Sequence, residues 1–144
     1  NIALLFGMDK HAHQLLGESF PHARIFACIS PLTEHFTQKS REDNHRKLYA
    51  HFKQNQMDII AFDKGKLLLI NTFHCKHTSD TIYYLLHVWQ QLGFNQENDQ
   101  LLLAGKIEAK EDLLTELNKF LRKVTLIPMQ EPLPFDIQTL MTCE

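Results

Sequence analysis

Residues 46–75, RKLYAHFKQNQMDIIAFDKGKLLLINTFHC, decide the fold. They read as three consecutive strands, Lys47–Lys53, Met57–Phe62 and Lys66–Phe73. The first alternates, with Leu48, Ala50 and Phe52 on one face and Tyr49, His51 and Lys53 on the other, the period of a half-buried strand. The second and third carry near-continuous apolar runs, Ile59–Phe62 and Leu67–Ile70, which suit a sheet covered on both faces. Asp63-Lys64-Gly65-Lys66 between them is a polar, Gly-containing hairpin signal. Downstream the pattern changes to helix, strand, helix, strand.

Working forward, Thr78 or Ser79 caps a helix to Leu92, with Ile82, Leu85, Leu86, Trp89 and Leu92 at helical spacing and Gly93 at C′. Asn95–Gln100 is a polar loop, and Leu101–Ala104 is a short buried strand ending at Gly105. A helix from about Ala109 to Leu121 has the stripe Leu113, Leu114, Leu117, Phe120 and Leu121. Glu111 and Asp112 in its first turn and Arg122-Lys123 at its end suit the helix dipole. Val124–Pro128 is the last strand. Pro128, Pro132 and Pro134 extend the tail, and Phe135–Met141 forms a short terminal helix.

Working backward, Ile2–Met8 and Ala23–Ile29 read as buried strands. Between them Asp9 caps a helix through Phe20, which Pro21 ends. Ser30-Pro31 opens a second helix with Leu32, His35 and Phe36 on one stripe. Gln38–Arg46 is polar throughout and reads as a solvated connection and the best boundary in the chain.

The chain has 144 residues, 44% hydrophobic and 22% charged, enough for one domain, or one domain with an appendage, and a real core. A net charge of −2 gives no basic surface for nucleic acid and no polybasic membrane patch, though nine histidines would move it towards positive in mild acid. No apolar run approaches the roughly 18 residues of a membrane span, and no signal peptide is visible. Cys28, Cys75 and Cys143 are odd in number and far apart, which favours reduced thiols in a cytoplasmic setting over a disulfide framework. The start at Asn1-Ile2-Ala3-Leu4-Leu5 falls inside a strand-like run and suggests truncation or processing.

The order βββ-αβ-αβ from residue 46 is that of a ribonuclease H-like α/β sheet with right-handed crossovers. On GKLLLINTF (Gly65–Phe73) and SDTIYYLLHVWQQLGFNQENDQLLLAGKI (Ser79–Ile107) the chain resembles the actin-like ATPase superfamily. Within it, the likeness is to a bacterial family known as a domain of unknown function. The resemblance implies that residues 46–144 are a whole second ribonuclease H-like domain, and 1–45 the closing βαβα of a truncated first one.

The superfamily's second phosphate loop resembles the turn between the first two strands of this domain. It needs a carboxylate ending the first strand and glycines after it, because main-chain N–H groups approach phosphate closely only where no Cβ intrudes. That pattern puts His51 at the acid and Lys53 and Asn55 at the glycines. The adenosine-contacting turn wants paired glycines; here Ala104 stands in one place and Gly105 remains. The expectation is a non-catalytic scaffold or protein-interaction module with a degenerate phosphate loop, a pseudo-ATPase. The alternative is an ATP- and Mg-binding switch or ATPase whose missing N-terminal domain completes the cleft, with Lys53 meeting phosphate as a point charge. A protein partner, the missing N-terminal fragment or a second copy is expected on residues 1–45, whose two strands have no complete sheet of their own.

Other constellations are weaker. His74, Cys75 and His77 suit zinc by chemistry, but a strand-to-helix loop need not turn them to one point, and a solvated loop is the plainer account. Cys75 beside His77 is the one nucleophile candidate, with Asp80 as orienter. Trp89 falls in the helix stripe, so the core claims it, and Tyr83 and Tyr84 cannot both face inward. Asp58 opens a buried strand; a solvated strand end is its ordinary reading.

Overall fold

The computed structural model describes residues 3, 5–128 and 135–140. Its elements are α1 (Lys10–Ser19), α2 (Ile29–Ser40), β1 (Lys47–Lys53), β2 (Gln56–Asp63), β3 (Lys66–His74), α3 (Thr78–Gln91), β4 (Gln100–Gly105), α4 (Lys110–Leu117), β5 (Val124–Leu126) and α5 (Phe135–Leu140). The strands form one sheet in the order β3-β2-β1-β4-β5. β1 to β3 are an antiparallel meander, and β4 and β5 add in parallel on the other side of β1.

The Lys64-Gly65 turn has φ of 49° and 83°, two left-handed residues that match the twist of the strands they join. The Arg41 side chain lies over it, where a Cβ on Gly65 would be 2.6 Å from Arg41 Cγ. β2 is buried along Met57–Phe62, as its apolar run implies. β3 is not: its burial alternates because it is the edge strand, and Leu68 is exposed. β1 departs from the half-buried reading in the opposite direction. Both of its faces are covered, with Tyr49 and His51 only 1% and 2% exposed.

Two cores account for that. On one face Leu48 and Ala50 of β1, Ile59 of β2 and Leu101 and Leu103 of β4 pack under α3 and α4, which contribute Leu85, Val88, Trp89, Leu113 and Leu117. On the other, Tyr49, Ile60, Phe62 and Ala104 pack under Leu32 and Phe36 of α2. Phe36 stacks on Tyr49 with ring centroids 4.0 Å apart, and Phe62 meets Tyr49 edge-on. Burial drives the Tyr49 phenol far above its usual range. α5 lies beside α2 on this second face.

The polar stretch 38–46 is therefore no free linker. α2 runs through to Ser40, which is fully buried, and Lys47 Nζ caps the helix by donating to the Lys39 carbonyl at 2.9 Å. Arg46 closes α3 similarly, donating to the Leu92 carbonyl at 3.2 Å and the Gly93 carbonyl at 2.6 Å. It also pairs with buried Asp99 at 3.2 Å and covers the Phe94 ring. Asp99 in turn accepts from the backbone N–H of Arg46 and of Asn95, tying β1 to the loop before β4.

α3 begins at Thr78, with His77 rather than Thr78 or Ser79 at its cap, because Asp80 reaches back to accept from the N–H groups of Lys76 and His77. α4 stops at Leu117, short of Leu121. Its last turn tightens through bonds from Lys119 N–H to Glu116 and Phe120 N–H to Leu117, which leaves Phe120 exposed and Leu121 buried.

The N-terminal part differs most from the sequence reading. α1 forms as expected, with Asp9 Oδ1 accepting from the N–H groups of His11 and Ala12 at 3.0 Å. The flanking segments, read as strands, carry no strand among the described residues of 2–8 and 23–29, and α2 starts at Ile29. Strand-like sequence needs a partner to become a strand, and these segments have none among the described residues. Ile2 and Leu4 of the first segment, and Pro132, Pro134 and Met141 of the tail, lie outside the described residues.

Candidate functional site

The β1–β2 turn is a two-residue hairpin, Gln54-Asn55, closed by the pair Lys53↔Gln56. Asn55 takes φ +56°, the left-handed conformation for which glycine would be the unstrained residue. Asn tolerates it better than most side chains, so the turn shape is kept while the bare main chain is not.

Counting back from that turn, the antiparallel register sets His51 opposite Asp58, and the next pairing sets Asp58 opposite Thr72. On the other side His51 adjoins Ala104. A polar row thus crosses the sheet at the end of β1, and Asp58 is its hub. Its carboxylate accepts from Thr72 Oγ1 at 2.7 Å, pairs with Lys53 Nζ at 3.1 Å and has His51 Nδ1 at 3.6 Å. Asp58 is 4% exposed. Burial opposes its ionisation, but the adjacent His51 imidazole, the Thr72 hydroxyl's hydrogen bond and the Lys53 ammonium together outweigh that and bring the carboxyl down to about 2. Asp58 is therefore no solvated strand end.

Gly105 adjoins Phe52 in the parallel ladder with φ +90°. Any Cβ there would collide with the Phe52 carbonyl oxygen and lie 3.0 Å from the His51 ring. Lys106 N–H donates to that same carbonyl at 3.1 Å. The glycine is thus required by the close approach of β4 to β1, whether or not a ligand binds.

His51, Lys53 and Gly105 are therefore brought to one strand end, with Asn55 at the hairpin tip. His74, Cys75 and His77 are not brought together. Among the described residues no group of three His, Cys, Asp or Glu side chains is placed to hold a metal. His74 ends β3, and His77 is exposed at the start of α3. Cys75 is half buried, and burial raises its thiol above the usual value against an opposing hydrogen bond with Thr81. A thiol held protonated is a poor nucleophile.

Beside the hairpin, a cleft of about 220 Å³ opens between the Lys53–Asn55 turn, the Cys75–Thr78 loop and the Lys106–Ala109 loop. Lys53, Lys76 and Lys106 line it, together with Glu108. The helix end that faces it is already served by a carboxylate, since Asp80 takes the N–H groups of Lys76 and His77.

Sequence reasoning set Asp58 aside, yet the signal was present. A two-residue turn at Gln54-Asn55 makes 51 and 58 cross-strand partners, and a carboxylate opposite a histidine on a covered sheet face must be paired.

The meander, the parallel additions and the two covering layers define the actin-like ATPase fold, as in a crystal structure from Bacteroides thetaiotaomicron. That structure is described as a protein with actin-like ATPase fold and unknown function. It matches with a TM-score of 0.87 and 46% identity over 96% of this chain. The present chain spans 53% of that protein's length. A second solved structure, Archaeoglobus fulgidus Pelota, matches at a TM-score of 0.45 and 12% identity, covering 76% of this chain and 35% of Pelota. No curated protein matches the chain. The chain belongs to the family described as "Protein of unknown function (DUF3822)", whose model matches residues 1–124. Among the described residues, no helix is long and apolar enough to cross a membrane.

Proposed function

We propose that this domain is a non-catalytic member of the actin-like fold, a scaffold or protein-interaction module whose phosphate-loop position has become structural. The observation that carries the reading is the Lys53–Asp58 pair at 3.1 Å. A hydrolytic site needs a carboxylate free to hold a hydrated cation. In the strand-end row the carboxylate is Asp58, and it is already matched by an ammonium, a hydroxyl and an imidazole. A divalent cation would have to displace Lys53 from a partly buried pair. Asn55 carries a side chain where main chain would have to lie bare against phosphate.

Thermal denaturation with and without MgATP tests this. A ligand at about ten times its Kd adds about 1.4 kcal/mol, which for a chain of this size moves Tm by roughly 3–6 °C. The expected shift in 1 mM MgATP is about zero. A shift of several degrees that Lys53→Ala abolishes would overturn the proposal.

A second reading is nucleotide binding without hydrolysis, as part of a longer protein whose other domain completes the cleft. Lys53, Lys76 and Lys106 around one cleft support it. The same titration separates the two readings when it is run on the longer protein.

A further inference from the structure

Of the sheet's two edges, β5 is three residues long and β3 is nine. Between Leu67 and Phe73 no charged residue or proline interrupts β3. The register shift opposite Ala61 and Phe62 leaves Leu68 without a partner, a bulge that confines regular pairing to Leu69–His74. The rest of the register fixes which main-chain groups face outward. Cys75 N–H donates to the Asn55 carbonyl at 3.1 Å. Counting back in steps of two, Phe73 and Asn71 also bond to β2, so Ile70, Thr72 and His74 turn their N–H and C=O groups away from the sheet. Among the described residues no strand lies beyond them. The Thr72 N–H donates instead to the Asn71 side-chain oxygen at 2.9 Å, a local substitute for a neighbouring strand.

Rings wall the α3 side of this edge. Phe73 stacks on Tyr84 at 4.6 Å, Tyr84 meets Tyr83 edge-on at 5.5 Å, and Tyr83 lies parallel to His87 at 5.7 Å. The core accounts for Phe73 and Tyr84. It does not account for Tyr83, which is 62% exposed, or for exposed His87. Outward main-chain donors and acceptors beside exposed aromatic surface are the two components of a strand-addition site.

Charge selects the occupant. Lys64 and Lys66 stand at one end of the edge, and Lys76 with His74 and His77 at the other. Asp80 is spent on the N–H groups of Lys76 and His77, which leaves Asp63 against the two lysines of the first end. A second copy pairing about a two-fold axis would run antiparallel and set the Lys64–Lys66 end of each chain over the Lys76 end of the other. That places like charges together twice. A strand with acidic ends meets both basic ends with attraction.

We propose that the Leu69–His74 edge takes up an extended segment of another protein, apolar at alternate residues and acidic at both ends, as a further strand of the sheet. Its apolar side chains lie against Tyr83 and Tyr84, and its terminal carboxylates meet the lysines at either end. The Asn71 amide gives up the Thr72 N–H as the strand docks. This site is separate from the β1–β2 turn, so the outcome with MgATP does not bear on it.

Titration of the 144-residue chain with the blocked peptide Asp-Asp-Val-Thr-Phe-Thr-Val-Asp-Asp, followed by amide NMR and hydrogen exchange, tests this. Bound peptide should slow the amides of Ile70, Thr72 and His74 at least about 10-fold and leave those of Asn71 and Phe73, already bonded to β2, little changed. The same peptide with Lys in place of each Asp should bind at least about 10-fold more weakly at low salt. Tyr83→Ala should weaken binding about 3–10-fold. His74→Pro, which removes one outward N–H, should abolish binding where His74→Ala does not. Should His74→Pro lower the urea midpoint, the peptide decides instead. N-methylation of one alternate set of its amides, and not of the other, should then abolish binding, and equal effects of the two sets would overturn the proposal. No binding of the acidic peptide at about 1 mM, or equal affinity for the lysine form, would also overturn it. Slow exchange at Ile70, Thr72 and His74 without peptide, together with a dimer mass in light scattering, would overturn it in favour of a second copy.

Discussion

Asp58 is the hub of the polar row that crosses the sheet at the end of β1. Its carboxyl lies at about 2, against an ordinary 3.8. The group therefore contributes stability above pH 3.8 that is lost as the pH falls towards 2, amounting to about 2 kcal/mol. Asp58→Asn should lower stability by about 2–4 kcal/mol at pH 7, since it leaves Lys53 and His51 without their anion. It should also flatten the acid limb, which thermal melts between pH 2 and 5 would show. Gly105→Ala should cost more than about 2 kcal/mol, because the Phe52 carbonyl occupies the space and φ is +90°. Its urea midpoint checks this, and an unchanged midpoint would mean that β4 can retreat from β1. At this scale the sequence was legible for the position of His51, Lys53, Asn55 and Gly105 at one end of β1, not for any binding role. It was not read for Asp58, whose meaning lies in a cross-strand partner seven positions away rather than in any local pattern.

At the scale of the element, the meander was legible because three different signals agreed on it: alternation in β1, apolar runs in β2 and β3, and a turn at Lys64-Gly65. What the pattern could not convey was which strand stands at the edge. Leu67–Ile70 is as apolar as Ile59–Phe62, yet its edge position leaves Leu68 exposed and the other three only partly buried. The stretch 38–46 misled for the opposite reason. Gln38, Lys39, Arg41, Glu42 and Asn44 are exposed as read, whereas Ser40 and Arg46, with adjoining Lys47, spend their polarity on helix ends. Arg46→Ala should therefore cost about 1–3 kcal/mol, through unmet carbonyls at the end of α3 and a buried Asp99 left with its two main-chain donors but no counter-charge. Exchange rates at amides 92–100 would rise before the rest of the sheet opens. Phe36→Ala should cost about 3–5 kcal/mol, since it removes the ring stacked on Tyr49 and empties the second core.

For the whole molecule, the division is between a sheet with both faces covered and the described residues of 5–28, none of which is buried. The two should respond to mutation independently. Leu16→Glu changes an exposed residue of α1 and should leave the sheet's stability within about 0.5 kcal/mol of the parent, as the urea transition would report. The segment's secondary structure was half legible for the same reason. α1 carries its own cap at Asp9, whereas the flanking segments, though strand-like in sequence, form no strand among the described residues. One further property follows from where the sole tryptophan sits. Trp89 is 3% exposed on α3, with the Phe94 ring 5.1 Å away. Its emission should be blue-shifted and shielded from iodide until the sheet melts, and indifferent to anything that happens between residues 3 and 28. Fluorescence and amide exchange on one sample would therefore follow different parts of the chain, and two separated transitions would mark the seam between them.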